Sequence, residues 1–181
     1  MLGAVTDQPT APPSRPAAPP HLDAAAAMWR EYSEAHPHAV RAGGEHTVEG
    51  FGEFERLADE LLGLVLTGQK TATAELVSTY LADGDLPPRV GSHWIACDGR
   101  GVPRIVIRTT ELRLGPLESV DDSFAHDEGE DDRQRDTWMR EHRRYFTRTC
   151  AARGDDFSED EDVVFERFDV VWPPELARRG R

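Results

Sequence analysis

Two alternating stretches constrain this chain most. "SHWIACD" (92–98) and "PRIVIRTTELRLG" (103–115) switch between apolar and polar residues with a period of two, the mark of half-buried strands. Between them sits "DGRG", whose Asp-Gly pair suits a tight hairpin turn. A β-hairpin over 92–115 follows. "DVVFERFDVVWP" (162–173) reads as a further strand of the same sheet. The remaining segments are helical or ambiguous. In "EFERLADELLGLVLTG" (53–68) the residues Phe54, Leu57, Leu61 and Val65 fall at helical spacing, and Gly68 is a C-cap. "LDAAAAMWREYSEAH" (22–36) is a helix with Asp23 as N-cap and Pro37 as its stop, followed by a loop to residue 50. "TATAELVSTYLADG" predicts a short strand, then a short helix. "LESVDDSFAHDEGE" predicts a loop and one short helix. Residues 132–154 form a longer helix that Asp132 can cap and Gly154 ends, with Trp138, His142, Tyr145 and Phe146 on one face. Helices and strands interleave without a long βαβ repeat. The expected fold is α+β: a small, mixed, mostly antiparallel β-barrel with flanking helices.

Composition narrows the function. At 181 residues the chain is long enough for one domain with a real core. Residues 1–20 carry six prolines and little to bury, which predicts a disordered arm. Residues 21–50 lead into the domain at 51–173, and 174–181 form a tail. The start has neither a basic segment nor an apolar run, so no signal peptide is expected. No stretch approaches the roughly twenty apolar residues of a membrane span. Cys97 and Cys150 lie far apart and indicate neither a disulfide framework nor a zinc site. A cytoplasmic location is the expectation. The net charge of −13 and pI near 4.9 argue against a protein that coats duplex DNA, where phosphate neutralisation dominates affinity. A small ligand or a local basic pocket remains open.

One basic residue stands apart. Of 21 Lys+Arg, only Lys70 is a lysine. A guanidinium is always charged and forked, whereas an ammonium is compact and can lose its proton when desolvated. Lys70 therefore marks either a position where arginine would not serve or a lysine retained by chance at a helix end. It follows the Gly68 cap within "LTGQKTATAE" (66–75).

"FGEFERLADELLGLVLTGQKTAT", "PPRVGSHWIACDGRGVPRIVIRTTEL", "SFAHDEGEDD", "WMREHRRYF" and "VVFERFDVVW", in this order, resemble the ASCH domain family, whose fold is a PUA-like β-barrel. The resemblance runs from about Phe51 to Trp172. Its most specific pieces are Gly68, Lys70 and Thr73 in a G-x-K-x-x-T pattern, and the acidic stretch with Glu128 and Glu130. The resemblance implies nucleic-acid or nucleoside chemistry. Small members hydrolyse the acetyl amide of N4-acetylcytidine, and longer ones bind or cleave RNA. Carried over by position, the amidohydrolase residues are Lys70, Thr73 and Glu128. One departure stands out: longer members usually read E-G-E-G-D, and here the fourth residue is Asp131. The extra charge disfavours phosphate near this loop.

Amide hydrolysis needs a nucleophile, a proton acceptor and an oxyanion donor. Thr73 offers a hydroxyl. Lys70 serves as base if burial lowers its pKa, or as electrostatic stabiliser if it stays charged. Glu128 orients the amine or shuttles a proton, and the pair titrates as a unit. On a flat strand Lys70 and Thr73 point to opposite faces, and Thr71 shares the face of Thr73; a turn or bulge after the Gly68 cap would let them meet, and the expectation is a partly buried Lys70 whose amine reaches both Thr73 and Glu128. Substrate or RNA contacts are expected at Thr71, Tyr80, Arg108, Glu130 and His142. Tyr80 is a stacking candidate, Arg108 a mid-strand arginine directed at the barrel mouth, and His142 lies one turn from Trp138 and Phe146. The acidic run lacks EF-hand spacing, so neither a metal nor a cofactor is expected. Three readings stand: an acetylcytidine amidohydrolase, a single-stranded RNA-binding protein or ribonuclease, and a non-catalytic reader of a modified nucleoside.

Overall fold

The structure, a computed structural model, describes residues 15–177. The elements run α1 (Leu22–Ala35), α2 (Pro37–Ala42), β1 (His46–Gly50), α3 (Glu55–Thr67), β2 (Ala72–Leu76), α4 (Val77–Asp83), β3 (His93–Cys97), β4 (Pro103–Gly115), α5 (Asp122–Glu128), α6 (Arg135–Arg153) and β5 (Val163–Trp172). The five strands form one mixed sheet in the order β1-β3-β4-β5-β2. β1 pairs with β3 in parallel, and every other pairing is antiparallel. The β3–β4 hairpin and the pairing of β5 to β4 match the expectation from alternation. Among the described residues, no helix is long and apolar enough to cross a membrane.

Each face of the sheet is covered differently. On the outer face, Ala72, Ala74 and Leu76 of β2 join Phe165 of β5 and Phe124, Trp138 and Phe146 from α5 and α6 in one core. A second outer core joins Ile95 and Val106 to Tyr32 of α1. On the inner face, Ala96, Ile105, Ile107, Phe168 and Val170 pack with Phe51 and with Leu62 and Val65 of α3. The sheet curls around this inner face into a half-barrel. Its two edge strands come close enough that the charge of Glu75 on β2 acts on Glu49 of β1.

Several local expectations are corrected. Asp23 lies in the first turn of α1 and is not its cap; His21 holds that position, without a side-chain bond. α1 stops before Pro37, as expected, with His36 as its C-cap; beyond that expectation, Pro37 also opens α2, because proline's fixed φ and missing N–H suit the first helical position. The expected loop over 37–50 thus holds α2 and β1. Asp132 does not cap α6, which starts after Gln134. Its carboxylate instead accepts from Gln134 N and the Thr137 hydroxyl. On α3 the buried residues are Ala58, Leu62 and Val65, while Leu57 is more than a third exposed. The proline-rich arm is not free over 15–20. Ala17 N donates to Glu53 O, Ala18 N to Gly99 O, and Glu55 N to Arg15 O. These bonds hold the segment against the hairpin turn although it has little apolar surface. Residues 1–14 lie outside the described residues. Within the tail, Leu176 packs on the inner core.

Candidate functional site

Helix α3 ends at Gly68, which takes a left-handed φ of 78°, a conformation that costs glycine nothing. The chain then turns directly into a short segment bound to the end of α5. Gln69 Nε2 donates to Gly129 O at 2.6 Å, and Thr71 N donates to Asp127 O at 2.8 Å. Gly129 also has positive φ, and a Cβ there would lie 2.4 Å from Gln69 O. Only glycine allows this approach. The G-x-K-x-x-T segment and the acidic run are therefore one structural unit.

Lys70 lies inside that unit and is 2 % exposed. Its Nζ reaches Glu128 Oε2 at 3.3 Å and Glu130 Oε1 at 2.5 Å. His142 Nε2 stands 3.5 Å from the same Glu128 oxygen. The His142 ring stacks on Trp138 with centroids 3.8 Å apart. Glu128 is 1 % exposed, and its Oε1 has no hydrogen-bond partner. Burial alone would lower the lysine pKa; the charges of Glu128 and Glu130 outweigh it and hold the amine above its ordinary range. Burial would raise Glu128, but the Lys70 charge, then His142, pull its carboxyl down to about 2. Burial likewise opposes charge on His142, and Glu128 overcomes it, so the imidazole pKa is raised. The cluster is a compensated ionic network in which Lys70 keeps its proton.

The expected site residues separate into groups. Lys70, Glu128, Glu130 and His142 meet in this network. Thr73 does not join it. β2 alternates strictly, with Ala72, Ala74 and Leu76 buried in the outer core and Thr73 and Glu75 turned the other way. Thr73 sits opposite Glu166 of β5. Tyr80 of α4 lies on that inner side too: burial, then the charges of Glu166, Glu75 and Glu49, raise its phenol pKa. Arg108 faces α1, not a barrel mouth. It pairs in register with His93, and its charge acts on Tyr32 and His93. Thr71 borders a cleft of about 610 Å³ lined by Gly68, Gln69, His126, Arg133, Arg167 and Phe168 among others. There Arg167 bonds Asp127, Glu111 and Ser123, and Arg133 bonds His126.

Sequence reasoning missed the polar residues of the inner face. Glu166 is 5 % exposed, and its Oε1 accepts from the Thr109 hydroxyl at 2.6 Å. Burial, followed by the charge of Glu49, pushes its carboxyl up to about 7 against the Thr109 bond. Glu49 and Glu75 are raised as well, each chiefly by desolvation, although Glu75 accepts from the Tyr145 and Thr79 hydroxyls and from Leu76 N. The available signal was a glutamate in phase with Val164, Phe168 and Val170 in an apolar strand.

Comparison with known proteins follows the same lines. The chain is similar to the crystal structure of an ASCH domain from Lactobacillus crispatus, with a TM-score of 0.74 and 27% identity over 86% of this chain and 96% of that one. It is also similar to protein EF3133 from Enterococcus faecalis, with a TM-score of 0.71 and 28% identity over 83% and 89%. No curated protein matches the chain. The family model of the ASCH domain matches residues 48–172. That span holds the whole sheet but for the first residues of β1, and both the Lys70 network and the inner-face cluster, so the chain belongs to the ASCH domain family.

Proposed function

We propose that this protein binds single-stranded RNA or a modified nucleoside, and does so without hydrolysing an acetyl amide. The observation that carries this reading is the state of Lys70. Its amine is bonded to two carboxylates and holds its proton, so it is no general base. Thr73, the nucleophile that the family resemblance offers, faces the other side of β2. The hydrolytic set would require both to meet. Family membership supports nucleic-acid or nucleoside partners.

The cleft beside Thr71 supports binding. A volume of about 610 Å³ falls in the range of small-molecule sites. Arg133 and Arg167 place two guanidinium groups on its wall, suited to phosphate. Three acids, Glu111, Asp127 and Asp169, also line it. Together with the net charge of −13, they oppose a long polyanion and favour a nucleoside or short single strand over duplex DNA.

The test pairs two assays. Fluorescence anisotropy with a short single-stranded RNA should show saturable binding that weakens with salt, and Arg133→Ala should weaken it several-fold. Chromatography after incubation with N4-acetylcytidine should show no cytidine. Steady release of cytidine would overturn the non-hydrolytic reading.

A further inference from the structure

The two arginines of the cleft beside Thr71 are not equivalent. Arg167 spends its guanidinium on the protein: Nε donates to Asp127 at 2.9 Å and Nη1 to Glu111 at 2.7 Å. Arg133 pairs with no carboxylate among the described residues, and its side-chain bonds go to His126 alone. Those bonds decide which part of the group is left over. Nε donates to the His126 carbonyl at 3.0 Å, and Nη2 reaches His126 Nδ1 at 3.2 Å. Nε–H and one Nη2–H form one edge of the planar guanidinium, so that edge is filled. The end edge, built from Nη1 and the second Nη2–H, has no partner among the described residues. Such a fork matches two oxygens of one anion.

The same contact fixes His126. A guanidinium does not give up its proton, so Nδ1 must accept, and the neutral ring carries its proton on Nε2. His126, which also lines the cleft, thus brings a second donor beside the fork. The backbone agrees with a binding role. Arg133 takes a φ of 61°, a left-handed conformation that most side chains avoid and that concentrates at ligand clamps. Behind the charged residues, Val65, Phe168 and Val170 of the inner core give the cleft an apolar wall.

Charge selects the anion. Arg167 is committed to Asp127 and Glu111, and Lys70 to Glu128 and Glu130. Arg133 leaves one positive charge unmatched. A terminal phosphate carries about two negative charges at neutral pH, and the second would meet Asp127 and Glu111. A phosphodiester carries one. Asp131, the acid that stands where longer family members carry glycine, does not line the cleft.

We propose that the free fork of Arg133, with His126 Nε2–H beside it, is a subsite for one internucleotide phosphodiester of a single strand, the adjoining nucleoside lying against Val65, Phe168 and Val170. This deepens the RNA and nucleoside reading and rests on it. The recognised group is the singly charged linkage, so the subsite is indifferent to base sequence.

NMR titration of the nitrogen-15-labelled full chain tests this with four probes: the dinucleotide ApA, adenosine, adenosine monophosphate, and ApA whose linkage is a neutral methylphosphonate. ApA should bind about tenfold tighter than adenosine or better, with the Arg133 Nε–H and the His126 ring shifting. The methylphosphonate should bind no better than adenosine. Arg133→Gly removes the fork at a φ that glycine adopts freely. It should lose about tenfold for ApA with its melting transition retained. Arg133→Lys keeps the charge without the fork and should recover only part of that loss. Equal affinity for ApA and its methylphosphonate, or full ApA affinity in folded Arg133→Gly, would overturn the subsite. Adenosine monophosphate binding tighter than ApA would overturn the diester in favour of a terminal phosphate. Adenosine binding as tightly as ApA overturns the subsite and leaves the nucleoside reading standing. Single-stranded RNA that binds Arg133→Gly as tightly as the parent overturns the subsite and leaves the RNA reading standing. No binding of any RNA or nucleoside overturns that reading, and the subsite with it.

Discussion

At the residue scale, two buried glutamates show how environment sets opposite roles. Glu128 has a cation beside it and is held ionised; Glu166 has none and is pushed up to about 7. The pH dependence of stability follows with opposite signs. Glu128 stabilises above its unfolded pKa of about 4.3, and that contribution is lost as pH falls toward about 2. Glu166 favours folding most when protonated, and its contribution is lost as pH rises from about 4.3 through about 7. The span corresponds to about 4 kcal/mol. Glu166→Gln should therefore flatten the melting temperature between pH 5 and 8 and raise it at pH 8; a lower melting temperature there would contradict the assignment. Lys70→Met leaves Glu128 buried without its cation and should cost about 3–5 kcal/mol in chemical denaturation. Asp131, which stands where longer family members usually carry glycine, takes a φ of 47°. This left-handed conformation is strained for most side chains. Asp131→Gly should raise stability by up to about 1 kcal/mol. Lys70 and Glu128 were legible in the sequence because motif and rarity marked them. Glu166 was hidden because one acid in an apolar strand shows its burial only once the neighbouring strands are known.

At the element scale, legibility depended on repetition. The β3–β4 hairpin has long alternation and a clear turn, and α3 has a full apolar period with a glycine cap. β1 was not legible. "HTVEG" offers a single large apolar residue, Val48, and it becomes a strand by pairing with β3 in parallel, a long-range contact that no local pattern encodes. The lysine segment forms the expected strand and helix, β2 and α4, but the bend at Gly68 does not bring Lys70 and Thr73 together as expected: Lys70 meets Glu128 and Glu130, while Thr73 sits opposite Glu166. Helix α1 illustrates docking by one polar bond in an apolar setting. Tyr32 is 1 % exposed, and its hydroxyl bonds His93 Nε2 at 2.9 Å. Burial lowers the His93 pKa to about 4, so the neutral ring accepts the bond. Tyr32→Phe should cost about 1 kcal/mol, and hydrogen exchange should localise the loss of protection to α1. Loss spread evenly over the sheet would contradict this docking role.

At the scale of the whole molecule, one curled sheet separates two chemistries. Outside, α5 and α6 clamp a compensated ionic network around the chain's single lysine. Inside, Glu166 and Glu75 are held by neutral donors, the Thr109 hydroxyl for Glu166 and the Thr79 and Tyr145 hydroxyls for Glu75. The buried acids are thus divided between one group paired with a cation and others held by hydroxyls. The central claim is that Lys70 is a structural cation and not a catalytic base. Because it is the only lysine, carbon-13 labelling of lysine gives one Cε resonance, whose shift follows the protonation of the amine. That resonance should show no titration between pH 6 and 10, with the amine protonated throughout. A midpoint near pH 7 would show a lysine poised to accept a proton and would contradict the account.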